Sequence, residues 1–171
     1  MKTMRHFSEI IWEKFFFILL SIFCLTASPF LSAATVTVTS NADSGAGTLR
    51  QAIADTSEGD TVVFSLSAGN ETISIASELN ISGKSLIIDG SNTAGSRTAV
   101  TVQVTTPGSS PWRDFNLNPG PGKTVSISKM TIKGGDISGT GFSGGCIYLY
   151  SGTLELKNST LSGAKLSLIH I

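Results

Sequence analysis

Between Gly122 and Ala164 the chain runs twice through one alternation of apolar and polar residues. The first pass reads Gly-Lys-Thr-Val-Ser-Ile-Ser-Lys-Met-Thr-Ile-Lys-Gly-Gly from Gly122. The second reads Gly-Thr-Leu-Glu-Leu-Lys-Asn-Ser-Thr-Leu-Ser-Gly from Gly152. Val125 and Leu154, Ile127 and Leu156, and Ile132 and Leu161 share one offset of 29 residues, and the same offset carries Gly134 onto Gly163. Alternation with a period of two is the period of a β-strand. Recurrence at a fixed spacing of roughly 20–50 residues is the signature of stacked repeats. Together they predict a solenoid whose coil is a short strand, a polar corner, another short strand and a glycine corner. A single coil buries nothing by itself, so its inward Val, Ile and Leu need the coils above and below.

The rest of the chain follows the same pattern less regularly. Thr35–Thr39 is predicted as a strand with Val36 and Val38 on one face, and Asn41–Gly47 as a turn-rich loop. Thr48-Leu-Arg-Gln51 has the spacing of a capping box, in which the Gln51 side chain reaches back to the Thr48 backbone. Leu49, Ala52 and Ile53 then give a short helix one apolar stripe, suited to covering the open end of the first coil. Further strands are predicted over 62–66, 72–75, 79–81, 86–88, 99–104, 115–117 and 146–150. Asp89-Gly90 is read as a turn, Pro107–Pro111 as a bulging loop, Asn118–Gly122 as a turn and 134–145 as a glycine-rich excursion. This makes three to four coils.

Both ends read differently from the middle. Lys2, Arg5 and Lys14 precede an apolar run, Phe15–Leu25, with Pro29 and the small residues Ser32-Ala33-Ala34 after it. That is the layout of a secretory signal cleaved after Ala34, and the run is shorter than the roughly 20 residues a membrane-spanning helix needs. At the other end Leu166-Ser-Leu-Ile-His-Ile171 breaks the repeat. These six residues look like the translation of a sequencing-library adapter, and the natural coils are expected to continue beyond Lys165.

Twelve Lys and Arg balance twelve Asp and Glu, so charge offers no argument for nucleic acid. Eighteen glycines and a low charged fraction of 14% suit an exported all-β protein with many turns. Of the two cysteines, Cys24 lies in the expected signal, which leaves Cys146 alone and rules out a disulfide framework after cleavage.

Asp43-Ser-Gly-Ala-Gly-Thr-Leu-Arg-Gln-Ala-Ile53 and Gly59-Asp-Thr-Val-Val-Phe64 resemble the opening of bacterial secreted right-handed parallel β-helix proteins of the pectin-lyase-like class. Gly144-Gly-Cys-Ile147, Gly152-Thr-Leu-Glu-Leu and Asn158-Ser-Thr-Leu look like their repeat. They are also similar to the repeat of polymorphic outer membrane proteins. Cys146 departs from the alanine of that second repeat, and the Phe-x-x-Asn that should follow is missing. The resemblance implies a β-helix from about Thr35 to Lys165 and an extracytoplasmic location, secreted or at a bacterial cell surface or outer membrane. It carries no function, because function lives in sites grafted on folds.

Catalysis on a polysaccharide would need clustered carboxylates. Asp89, Asp114, Asp136 and Glu155 are scattered, and they read as corner or surface residues. Arg50 reads as a local partner at the helix. Cys146 lacks a nearby histidine in the sequence and reads as a packed thiol. Tyr148 and Tyr150 alternate opposite Ile147 and Leu149 and are expected to face outward, where they either stack between coils or, with Trp112, form a candidate glycan-contact set.

The sequence therefore predicts an all-β, right-handed parallel β-helix with a short N-terminal capping helix, truncated at its C-terminus. Its parts are a signal peptide (1–34), a cap (35–66), coils (67–165) and a non-native tail (166–171). The expected function is a non-enzymatic adhesin, passenger or structural module that binds glycans or cell-surface proteins. It uses no cofactor, metal or nucleic acid, and meets a membrane only through export or a missing anchor. The competing reading is the first part of a pectin-lyase-like enzyme whose active face lies in absent coils.

Overall fold

The computed structural model describes residues 32–94, 99–138 and 144–165, with the backbone alone of Ile169–His170. Ala33–Ile171 forms one compact unit. The expected signal segment, Cys24 included, lies outside the described residues except for Ser32, Ala33 and Ala34. Part of the glycine-rich excursion (139–143) and most of the expected foreign tail also lie outside them.

The chain first forms β1 (Thr35–Val38) and the helix α1 (Leu49–Asp55). A full coil follows as β2 (Thr61–Phe64), β3 (Thr72–Ile75) and β4 (Leu79–Ser82). The next comprises β5 (Leu86–Asn92), β6 (Val100–Val104) and β7 (Phe115–Asn118). Then come β8 (Thr124–Ser128), β9 (Met130–Lys133) and β10 (Ile147–Leu149), and last β11 (Thr153–Lys157), β12 (Thr160–Ser162) and β13 (Ile169–His170). From β2 onward every third strand joins the same sheet, with β1 added beside β2: β1-β2-β5-β8-β11 in sheet A, β3-β6-β9-β12 in sheet B, and β4-β7-β10-β13 in sheet C. All pairings between these strands are parallel. The architecture is a parallel β-solenoid of about four turns.

The register fulfils the alternation read from the sequence. Leu154 pairs with Val125 and Leu156 with Ile127 in sheet A, and Leu161 with Ile132 in sheet B. Inward positions stack into aliphatic columns. One runs Val36, Val62, Ile88, Ile127, Leu156 along sheet A. Another runs Ile73, Val102, Ile132, Leu161 along sheet B, and a third runs Ile81, Leu117, Leu149 along sheet C. The middle members are fully buried, whereas Val36, Leu156 and Leu161 at the column ends are only partly so. Burying one such side chain contributes about 1.5–3 kcal/mol, so the interior columns hold the stack together.

The 29-residue step holds between β8 and β11, but the same sheet advances 39 residues from β5 to β8. The difference lies mainly between β5 and β6, where Leu86 to Val100 spans 14 residues against 5 from Val125 to Met130 in the next coil. The short corners between sheets A and B carry Lys129 and Asn158, both with φ of 52°, the left-handed conformation that turns a chain sharply. Asp89-Gly90 is not the expected turn: both lie inside β5, and Lys129 of the next coil crosses above Gly90. A Cβ there would strike the Lys129 carbonyl, so the tight rung spacing demands glycine. The buried Asn92 ends β5. Its side-chain amide donates to the Leu66 carbonyl and its oxygen accepts from the Leu66 N–H, both at 2.8 Å.

At α1 the Thr48 hydroxyl accepts from the Gln51 N–H at 3.3 Å. The reciprocal half of the expected capping box does not form, because Gln51 instead donates to Asp55 one turn along the helix, at 2.7 Å. Leu49, Ala52 and Ile53 are buried in the same core as Val38 and Phe64. Lys84 Nζ closes the helix C-terminus by donating to the carbonyls of Ile53 and Thr56 at 2.6 Å and to the Thr56 hydroxyl at 2.9 Å. Ammonium donors suit the carbonyl end of a helix, where the macrodipole is negative.

Candidate functional site

The outer face of sheet C is built from three strands of one pattern: Leu79-Asn-Ile-Ser82, Phe115-Asn-Leu-Asn118 and Ile147-Tyr-Leu-Tyr150. The apolar residues point inward and are buried. The residues between them form two outward columns, Asn80–Asn116–Tyr148 and Ser82–Asn118–Tyr150. Tyr150 lies just past β10, but its N–H donates to the Leu117 carbonyl at 2.8 Å, which keeps it in step with Asn118. Its side chain is 71% exposed. These columns and Ile81 line a shallow cleft of about 370 Å³. A second cleft of about 340 Å³ runs between α1 and β4 and shares Asn80 and Ser82 with the first, so the two form one groove along the stack.

The edges of this groove are stiffened by polar contacts. The Arg113 guanidinium lies 4.9 Å from the Tyr148 ring centroid, within cation–π range, and its Nε donates to Glu78 at 2.7 Å. Ser151 donates to the Asn118 side-chain oxygen at 2.6 Å. At the helix end, Arg50 donates to the Asp43 carboxylate at 2.6 Å and to the carbonyls of Ser77 and Glu78 at 2.9 and 2.8 Å. Arg50 is thus the local partner expected from the sequence.

Tyr148 and Tyr150 come together in the cleft. Trp112 does not join them: it packs against the core and its Nε1 is buried with no hydrogen-bond partner. The sequence reading missed Asn80, Ser82, Asn116 and Asn118. Their signal was present, since each fills the outward slot of the same four-residue strand pattern. Corners of unequal length hid the alignment.

The four acids named from the sequence stay apart. Asp89 pairs with Lys129 at 3.2 Å. Glu155 pairs with Lys157 at 2.7 Å, whose hydrogen bond holds its carboxyl below the usual range. Hydrogen bonds from Ser138, with Lys165 adding to them, pull Asp136 down to about 2. Asp114 is the exception to the corner-or-surface reading, being completely buried with no hydrogen-bond partner for either carboxylate oxygen. Burial pushes its carboxyl up to about 8. On the next rung burial, and then the field of Asp114, push the enclosed Cys146 thiol up to about 11, so it stays protonated and unreactive near neutrality. Among the described residues no three of His, Cys, Asp and Glu are grouped to hold a metal ion. No protein-family model, curated protein or solved structure matches this chain.

Proposed function

We propose that this chain is an exported, right-handed β-helix module, capped by α1, that binds glycans through the outer face of sheet C and performs no chemistry on them. The carrying observation is the pair of outward columns that combine carboxamides, hydroxyls and two tyrosines in one groove. Pyranose rings present C–H faces that pack on aromatic rings and hydroxyls that both donate and accept. Asn side chains match those hydroxyls because each carries two donors and one acceptor. A shallow, solvent-open groove suits a polymer laid along it. The right hand follows from the strong preference of parallel strand connections for that sense. The apolar stripe of α1, buried beside β1 at the start of the stack, supports the cap. The leader pattern of residues 1–34 supports export, as does the resemblance of the 43–64 segment to secreted β-helix proteins of the pectin-lyase-like class.

The full chain, displayed against an array of immobilised glycans, is expected to retain a subset of polysaccharides, and Tyr150→Ala is expected to lose that retention while keeping the β-sheet circular dichroism. Retention of none refutes the reading. Export is checked separately by expressing the chain in a bacterial host and sequencing the amino terminus of the periplasmic product, which is expected to begin at Thr35.

A further inference from the structure

We infer that the sheet C groove takes an uncharged, extended polysaccharide, laid along the stack axis with about one sugar per rung, and rejects polyuronates. The inference rests on the glycan reading above and names the ligand class.

Two observations carry it. The first is electrostatic. Every residue lining the larger cleft is uncharged: three asparagines, one serine, two tyrosines and Ile81. Two cations, Arg50 and Lys84, line the second cleft, and Arg113 lies against Tyr148 of the first, but each is already committed. Lys84 directs its ammonium at three oxygens of the α1 C-terminus within 2.6–2.9 Å. Arg50 is paired with Asp43 and bridges to two backbone carbonyls. Arg113 is paired with Glu78 and holds Tyr148. Lys123 is paired with Glu58 at 2.9 Å. A polyuronate brings one carboxylate per sugar. On this face a carboxylate turned toward the groove sheds part of its water and meets carboxamides, hydroxyls and cations already paired, so it gains no new ion pair in return. Recruiting Arg50 or Arg113 to the ligand would strip a partner from Asp43 or Glu78.

The second observation is geometric. The two outward columns repeat at the rung spacing of a parallel sheet, about 4.8 Å. That step is close to the advance per residue of an extended β-1,4-linked pyranose chain. The rungs Asn80/Ser82, Asn116/Asn118 and Tyr148/Tyr150 therefore each meet one successive sugar, the first two through hydrogen-bonding groups and the third through aromatic rings. The second cleft, continuing past Asn80 and Ser82 toward α1, extends the track by roughly one further sugar. An α-linked glucan coils away from this straight line and cannot keep step with it.

The test is affinity electrophoresis of the full chain in native gels that contain one soluble polysaccharide each. The five gels hold a β-1,4-glucomannan, polygalacturonate with calcium, polygalacturonate without calcium, the α-1,6-glucan dextran, and no polymer. Retardation by glucomannan alone is expected, with Tyr150→Ala weakening it roughly tenfold. Tyr150 is largely exposed, so this variant leaves the fold in place. A second variant, Asn116→Ala, is expected to weaken retardation as well, and its thermal melt checks its folding. Retardation by polygalacturonate, with or without calcium, overturns the charge argument and leaves glycan binding standing. Equal retardation by dextran overturns the one-sugar-per-rung geometry. Retardation by none of the polymers refutes the glycan reading itself.

Discussion

Asp114→Asn removes the one ionisable group that, among the described residues, the solenoid encloses without a hydrogen-bond partner. The Asp114 backbone bridges three rungs, its N–H donating to the Cys146 carbonyl at 3.0 Å and its carbonyl accepting from the Leu79 N–H at 2.8 Å. Its side chain is wholly enclosed and keeps its proton up to about pH 8. In the unfolded chain the same carboxyl releases its proton near 3.8. Between those values the folded state holds one more proton than the unfolded state, so stability falls as pH rises. The slope is about 1.4 kcal/mol per pH unit. By pH 7 the accumulated loss is about 4 kcal/mol, a large part of the roughly 5–15 kcal/mol that holds an ordinary domain together. Above pH 8 the slope vanishes. Asp60 and Asp136 carry depressed values and act in the opposite sense, their stabilisation being lost only as pH falls below about 4. Cys146 titrates near 11, also outside the window. The asparagine variant keeps the shape and drops the titration, while its buried amide costs roughly 1–3 kcal/mol at every pH. Urea unfolding at half-unit steps from pH 4.5 to 8.5 is therefore expected to give crossing curves. The wild type is the more stable near pH 4.5 and Asp114→Asn the more stable by pH 7.5. Parallel curves across the whole window would refute the claim that Asp114 is enclosed and unpartnered.

Other substitutions probe separate parts of the fold. Asn92→Leu strands the Leu66 N–H and carbonyl, and is expected to lower the urea midpoint by the equivalent of about 2–4 kcal/mol. Ile127→Ala, in the middle of a buried column, is expected to cost about 2–5 kcal/mol, and Leu156→Ala, at the half-exposed end of the same column, clearly less; equal costs would argue against a shared interior. Lys129→Asn is expected to raise the melting temperature slightly, because asparagine tolerates the left-handed conformation better than lysine and only a surface ion pair with Asp89 is lost. The Cys146 thiol is expected to resist a disulfide reagent at pH 8 in the native state and to react fully in urea, which thiol labelling followed by mass spectrometry reads directly.

The parts of this fold legible in the sequence are those governed by strand periodicity. Inside a strand, alternation is enforced residue by residue, because a one-position slip moves every apolar side chain to the wrong face. Alternation therefore assigns Val125, Ile127, Ile132 and Leu154 to the interior from their neighbours alone, although Leu154, at the open end of its column, is only partly enclosed. The spacing between coils obeys no such rule. Corners run over the surface and tolerate insertion at little entropic cost, so sheet A advances 39 residues in one step and 29 in the next. That freedom concealed the asparagine columns, whose members align only after the corners are discounted.

Asp114 was misread for a related reason. It stands one position before the inward Phe115, where alternation directs a side chain to solvent, and acids in corners are usually exposed. In this solenoid the corner itself is packed: Asp114 and Cys146, each one residue before a strand of sheet C, are both fully enclosed. Gly135 fits under that corner only because it lacks a Cβ, which would meet the carbonyls of Ser110 and Trp112. We attribute the enclosure of the carboxylate to this tight corner just ahead of it in the chain, and not to any strand pattern. Enlarging Gly135 should therefore reach Asp114 first. Gly135→Ala must displace the 110–112 backbone, and it is expected to expose the carboxyl and to flatten the fall in stability between pH 5 and 8 while lowering overall stability. A glycine variant that loses stability but keeps the full slope would separate the two residues and leave the enclosure of Asp114 without this cause.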